Sequence, residues 1–370
     1  MTELMTVREG DIATRYRFDG GGWQFTGRVH GMWPAPRPGG GWTTSVVGGA
    51  ARLEHDDGAS VVEVPGSRTE PPILLAPRVA HYALWAPDGR ALCYVVPDGR
   101  ALSLRSWRPG EAAARIHLSA APVFPAWAPG TDWLLCHHGT TLSAFDTASG
   151  EQRVLSTSAA GFRTPLALPD GSVVWAEVGG GGVRVRRGRL DGQEPETLGA
   201  FPGGVALGVH PAGGRISVAV AEQPESGVFS SVMLLEGEGR PRRLVKGPLV
   251  AYWWSPTGLG LATLHPSYTG DGRFQVRFHS EDGAALGATE AFIPSADSAT
   301  AITFFDQYAL SHPAWSADGR WFGMAGRLLR EGPHPSFQGR PANAALLWDC
   351  ESQRAFTELP DAGFVSFGRG

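Results

Sequence analysis

Two histidines, one arginine and one carboxylate, each beside aromatic residues, are the groups in this sequence best placed to do chemistry. They occur as His81-Tyr82, Arg163-Thr164, Tyr252-Trp253, Asp306-Gln307-Tyr308 and Ser311-His312. Arg163 has the planar fork that holds a carboxylate or phosphate, and Tyr82, Tyr252, Trp253 and Tyr308 supply contact area around it. That set describes a binding site for a peptide, a protein terminus or a small polar ligand. A second chemistry is open to the same residues, since His81, His312 and Asp306 offer the donor types of a metal site. A histidine near a channel is more often a hydrogen-bonded structural group than a ligand, so the binding reading leads and no metal or other cofactor is assigned.

Other eye-catching residues carry less. His137-His138 closes a strand, where neighbouring side chains point to opposite faces and cannot chelate one metal. Gly179–Gly182 is a hairpin tip with no following helix that carries Lys-Ser/Thr, so it is not a phosphate loop. Cys93, Cys136 and Cys350 have neither zinc spacing nor the count of a disulfide framework. No Gly-x-Ser-x-Gly elbow is present. The net charge of −4 and the single short basic run Arg184–Arg189 do not suit a nucleic-acid partner. No apolar run is long enough to span a membrane, and the first residues have no apolar signal core. A cytoplasmic location is therefore expected, or a periplasmic or extracellular one if a leader has been removed.

The candidate residues gain meaning from the elements that hold them. A short apolar strand, usually ending in Trp, is followed by a Pro/Asp/Gly turn and a second apolar strand. It reads Tyr82-Ala-Leu-Trp-Ala-Pro-Asp-Gly-Arg-Ala-Leu-Cys-Tyr94 and returns around Trp127, Trp254 and Trp315, with degenerate copies at Ala167 and Val209. The step is about forty residues, and the last is some twenty longer, which is the blade period of a β-propeller. Pro-Asp-Gly makes a tight hairpin, and the Trp beside it fills the space between twisted sheets. A blade cannot bury both of its faces alone, so the array must close. The fold expected is all-β, a single propeller over residues 1–370. Residues just before each anchor line the channel mouth, which is why the groups above converge.

Seven four-stranded blades are expected, with residues 1–41 as an N-terminal extension. Trp42–Val47, Ala51–His55 and Ser60–Val64 form the first blade (42–76), completed by a C-terminal strand at 363–368 with Phe367 in the Trp position. The count rises to eight if Tyr16–Phe18 and Trp23–Phe25 join a separate sheet. The extra residues fall in Ser295–Ala309, where Ile302, Phe305 and Tyr308/Ala309 recur at helical spacing after Ser298, a candidate N-cap. A short helix across one mouth is expected.

The Trp-Ser/Ala-Pro-Asp-Gly hairpins, over residues 77 to 325, resemble the WD-repeat-like units of TolB-like propellers. Similar repeats build the propeller domain of dipeptidyl-peptidase-IV-type and prolyl-oligopeptidase-type enzymes. The resemblance implies architecture more than activity. It implies a monomeric bacterial scaffold that takes a protein or peptide partner, more often non-enzymatic, because the chain has no room for the peptidases' hydrolase domain. The alternative it allows is a propeller lyase or hydrolase: oligogalacturonate lyases place metal-binding His and Gln at this location. Gln307 and His312 do not have that family's closely alternating His spacing.

Overall fold

A computed structural model describes residues 2–369 apart from 9–11, 48–50, 56–60, 64–81, 110, 112–113, 161–162, 212–213, 224–225, 237–240, 268–270, 330–335, 338–339 and 353–355. The repeated hairpin forms as its residues dictate. After Ala83–Trp85 the Ala86 amide donates to Ala91 O at 2.8 Å, and the Asp88 carboxylate accepts the Arg90 amide at 2.9 Å. Gly89 turns the chain at φ 69°, and a Cβ there would stand 2.8 Å from the Pro38 carbonyl, so only glycine fits. The copy after Trp315 repeats this, with the Arg320 amide on Asp318 at 3.0 Å and Gly319 at φ 72°.

These hairpins are the first two strands of antiparallel four-stranded sheets. Ala83–Trp85, Val123–Trp127, Leu166–Ala167 and Val205–Val209 each begin one, and the next three strands follow in sequence order. Ala251–Trp254 begins an eight-stranded sheet, in which Phe292–Pro294 pairs with both Phe274–Ser280 and Trp321–Leu328. Trp315 pairs with Phe322 through a single bridge. The first strands pack against one another from sheet to sheet around a common axis. Indole N–H groups join the sheets: Trp85 Nε1 donates to Thr43 Oγ1 at 2.9 Å, Trp127 to Leu84 O at 3.0 Å, Trp254 to Ser217 Oγ at 2.9 Å and Trp315 to Trp253 O at 3.2 Å. The first three reach the preceding sheet and Trp315 reaches the first strand of its own eight-stranded sheet, so each wedge also satisfies its own polar atom.

The C-terminal strand pairs with an N-terminal sheet as the sequence leads one to expect, but the sheet is a different one. Phe364–Phe367 pairs with Thr2–Arg8, in a sheet completed by Ile12–Phe18 and Trp23–His30. The strands at Trp42–Val47, Ala51–His55 and Val61–Glu63 instead take Met32–Pro36 as their inner strand. The described N-terminal segment therefore supplies four strands and not an extension, and Phe364–Phe367 does not complete 42–76. Tyr16–Phe18 and Trp23–Phe25 do lie in a sheet separate from that of Trp42–Val47, the arrangement for which the sequence reading allows eight blades.

The long interval forms two helices, α1 (Ala296–Thr303) and α2 (Phe305–Ser311), broken at Phe304. The cap is Ser295, whose hydroxyl accepts the Ser298 amide at 3.0 Å, and not Ser298 itself. Ile302, Phe305 and Tyr308 are buried, as their spacing predicts. α2 packs against Ala83–Trp85, Val123–Trp127, Val205–Val209 and Ala251–Trp254, so it stands within the channel and touches four sheets.

Candidate functional site

Where α2 meets the inner strands it forms the floor of a cavity of about 520 Å³. The walls include Trp85, Trp127, Trp253, Trp315 and Tyr252, and the floor carries Phe305 and Asp306. The cavity opens on the side where the inner strands end. Its rim is set by the repeat: Pro87, Pro129, Pro211 and Pro256 each stand two residues past the end of an inner strand, and Ala317 stands two past Trp315. These turn residues are rigid and apolar, as the hairpin requires.

The sequence places the mouth at residues just before the anchors. The structure divides those residues between the cavity and the packing beneath it. Tyr252, Trp253 and Asp306 line the cavity. Tyr82 is buried below, donating its hydroxyl to Gln307 O at 3.0 Å and meeting the Tyr308 ring edge-on at 5.9 Å. Gln307 Nε2 lies 3.5 Å from Val123 O. Tyr308 packs on Trp33 at 5.2 Å and on His312 at 5.5 Å. These contacts tie α2 to the ring. His81 lies outside the described residues.

Arg163 is engaged within the protein. Its guanidinium is 3.7 Å from Asp306 Oδ1 and stands over the Phe229 ring at 5.5 Å. Asp306 Oδ2 accepts the Thr164 amide at 3.0 Å, and His137 Nδ1 donates to the Arg163 carbonyl at 2.7 Å. Asp306, with its side chain 1% exposed, thus joins α2 to the chain before Leu166–Ala167. The pairing with Arg163 and the Thr164 amide offsets part of the cost of burying the side chain.

His312 is 5% exposed, with Nδ1 2.6 Å from Ser311 Oγ and its ring against Trp33, Tyr308 and Phe364. Burial pushes its pKa down to about 4, and the nearby Arg369 charge acts in the same direction. The imidazole is therefore neutral and sits in an aromatic box, and it does not face Asp306 across a shared site. Among the described residues no group of three or more His, Cys, Asp or Glu side chains is placed to hold a metal. His137 and His138 bond to different partners, Arg163 O and Ser143 Oγ, in keeping with opposite strand faces.

One lining residue was not singled out from the sequence. Arg369 follows Phe367 by two positions, the place held elsewhere by Pro87, Pro129, Pro211, Pro256 and Ala317. The signal was there to read: aligning Phe367 with the Trp anchors puts a charge where every other aligned copy has Pro or Ala.

No protein-family model matches the chain, and no curated protein matches it by sequence. Solved structures do match. Dihydro-heme d1 dehydrogenase NirN aligns over 99% of this chain and 74% of its own, at 15% identity and TM-score 0.61. Oligogalacturonate lyase from Vibrio parahaemolyticus aligns over 75% of this chain and 76% of its own, at 12% identity and TM-score 0.51. TolB from Acinetobacter baumannii aligns over 76% of this chain and 67% of its own, at 17% identity and TM-score 0.45. At such identities the likeness is one of fold, and no helix among the described residues is long and apolar enough to cross a membrane. The chain is an all-β propeller.

Proposed function

We propose that this protein is a non-enzymatic binding propeller whose channel takes a small organic ligand or the end of a peptide. The observation that carries the reading is the cavity above α2, with its aromatic walls and few polar groups. Its volume, about 520 Å³, falls in the range of ordinary small-molecule sites. The floor is held by side-chain bonds to several blades, through Tyr82, Arg163 and Thr164, which favours a preformed site. The reading moves the site to the side where the inner strands end, since α2 and the packing under it fill the other side.

The test fills the cavity from its floor. Ala309 is a half-buried lining residue of α2, and Ala309→Trp places an indole in the open volume. Binding of the neutral dye N-phenyl-1-naphthylamine, followed by its fluorescence, should be saturable in the wild-type protein. It should weaken by about tenfold or more in the variant, with circular dichroism unchanged. Equal dye affinity in the two proteins would remove the channel as the site.

A further inference from the structure

The described lining of the cavity includes one carboxyl and one guanidinium side chain, Asp306 and Arg369, and they differ in what they face. Asp306 already accepts the Thr164 amide and pairs with Arg163. Arg369 has no such partner: its Nη2 donates to the Leu310 carbonyl, and no carboxylate among the described residues lies within ion-pair distance. Burial lowers its pKa below the usual guanidinium range, and Tyr82 opposes the shift. A cation with no counter-ion among the described residues is costly to bury, and an incoming anion relieves that cost.

The repeat strengthens the case. At the rim position two residues past an inner-strand end or its anchor, Pro87, Pro129, Pro211, Pro256 and Ala317 make the turn. The same position after Phe367 carries arginine, which turn geometry does not require. Its guanidinium bonds the Leu310 carbonyl at the end of α2, and the residue shares the cavity lining with Trp85, Trp127 and Trp253.

We infer that Arg369 anchors the carboxylate of an apolar organic acid whose hydrophobic part packs against the tryptophan walls of the channel. The guanidinium fork matches a planar carboxylate with two parallel hydrogen bonds. One unpaired cation suits a monoanion better than a phosphate, which would draw on further donors. Arg163, the arginine that the sequence suggests for this task, is neutralised by Asp306. The inference rests on the channel being the binding site and adds the class of ligand. The carboxylate could belong to a free acid or to the last residue of a peptide.

Calorimetric titration with 2-naphthoate and its neutral isostere 2-naphthamide tests the anchor. The acid should bind about tenfold tighter than the amide. Arg369→Gln should bring the two within about twofold by weakening only the acid, and Arg369→Lys should restore part of the preference. Equal affinities in the wild-type protein, or a preference that survives Arg369→Gln, would overturn the anchor and leave the channel reading intact. Failure of both compounds to bind would overturn both. The tripeptide Ala-Ala-Phe with a free and an amidated C-terminus separates the sources. A free-end preference lost in Arg369→Gln and larger than that of naphthoate assigns the carboxylate to a peptide terminus, and a smaller one to a free acid.

Discussion

Burial decides the charge of His312. Its ring is enclosed by Trp33, Tyr308 and Phe364, with the Arg369 guanidinium nearby, so the neutral form is favoured and the pKa falls to about 4. In the unfolded chain the same group titrates near 6.5. Between these values the unfolded state binds the extra proton, so stability rises with pH across that window. The contribution is complete above about 6.5, shrinks as the solution is acidified, and is gone below about 4. For a group this buried it amounts to roughly 3 kcal/mol. His117 and His265 are shifted to about 4 by burial as well, with Arg115 and Arg277 adding to the effect, so the acid limb should be steep. Urea denaturation at several pH values between 7 and 4 should show stability falling throughout, and His312→Gln should flatten the slope by close to one proton. An unchanged slope in the variant would mean that the ring is solvated in the folded protein.

Among the elements, the inner strands show where sequence reasoning succeeds. Ala83–Trp85, Val123–Trp127 and Ala251–Trp254 end in an indole and run into a proline-led turn, two independent signals that agree. Leu166–Ala167 and Val205–Val209 have no Trp, yet the forty-residue step places them. Met32–Pro36 was missed for a physical reason: Trp33-Pro-Ala-Pro offers two prolines and little alternation, the pattern of a loop or an edge. With that strand hidden, the sequence pattern pairs the C-terminal strand with 42–76 and not with Thr2–Arg8. The site was legible in part for a related reason. Periodicity says which residues approach the axis, and it does not say which end of the channel stays open once α2 enters it. The indoles should also be energetic register marks. Trp127→Phe removes the N–H that satisfies the Leu84 carbonyl and leaves a small void, at a cost of about 1–3 kcal/mol by chemical denaturation. Trp133, partly exposed under Arg153 at 4.8 Å, should tolerate the same change within about 1 kcal/mol.

At the scale of the whole molecule, what matters is how the ring holds itself shut. Phe364–Phe367 pairs with Thr2–Arg8 through Leu4↔Phe367, Met5↔Ser366, Thr6↔Val365 and Val7↔Phe364, which brings the two ends of the described chain into one sheet. The strand is buried along its length, and the Phe367 amide donates to Pro313 O at 2.9 Å, tying the closing sheet to the Trp315 region. Closure also delivers Arg369 to the rim, so the lock of the fold and the proposed anchor of the ligand lie on one short segment. Ser366 is the position that separates these roles, since it is fully buried and does not line the cavity. Ser366→Pro disrupts the pairing with Met5 and should cost about 3 kcal/mol or more, because the strand stands inside a closed array. Thermal unfolding should shift down or lose its single transition, and size-exclusion chromatography should show association through the exposed edge of Thr2–Arg8. An equivalent proline at Val154, half-exposed on the outer strand Gln152–Ser156, should cost far less. Equal losses at the two positions would mean that closure by the C-terminal strand adds nothing beyond ordinary sheet pairing.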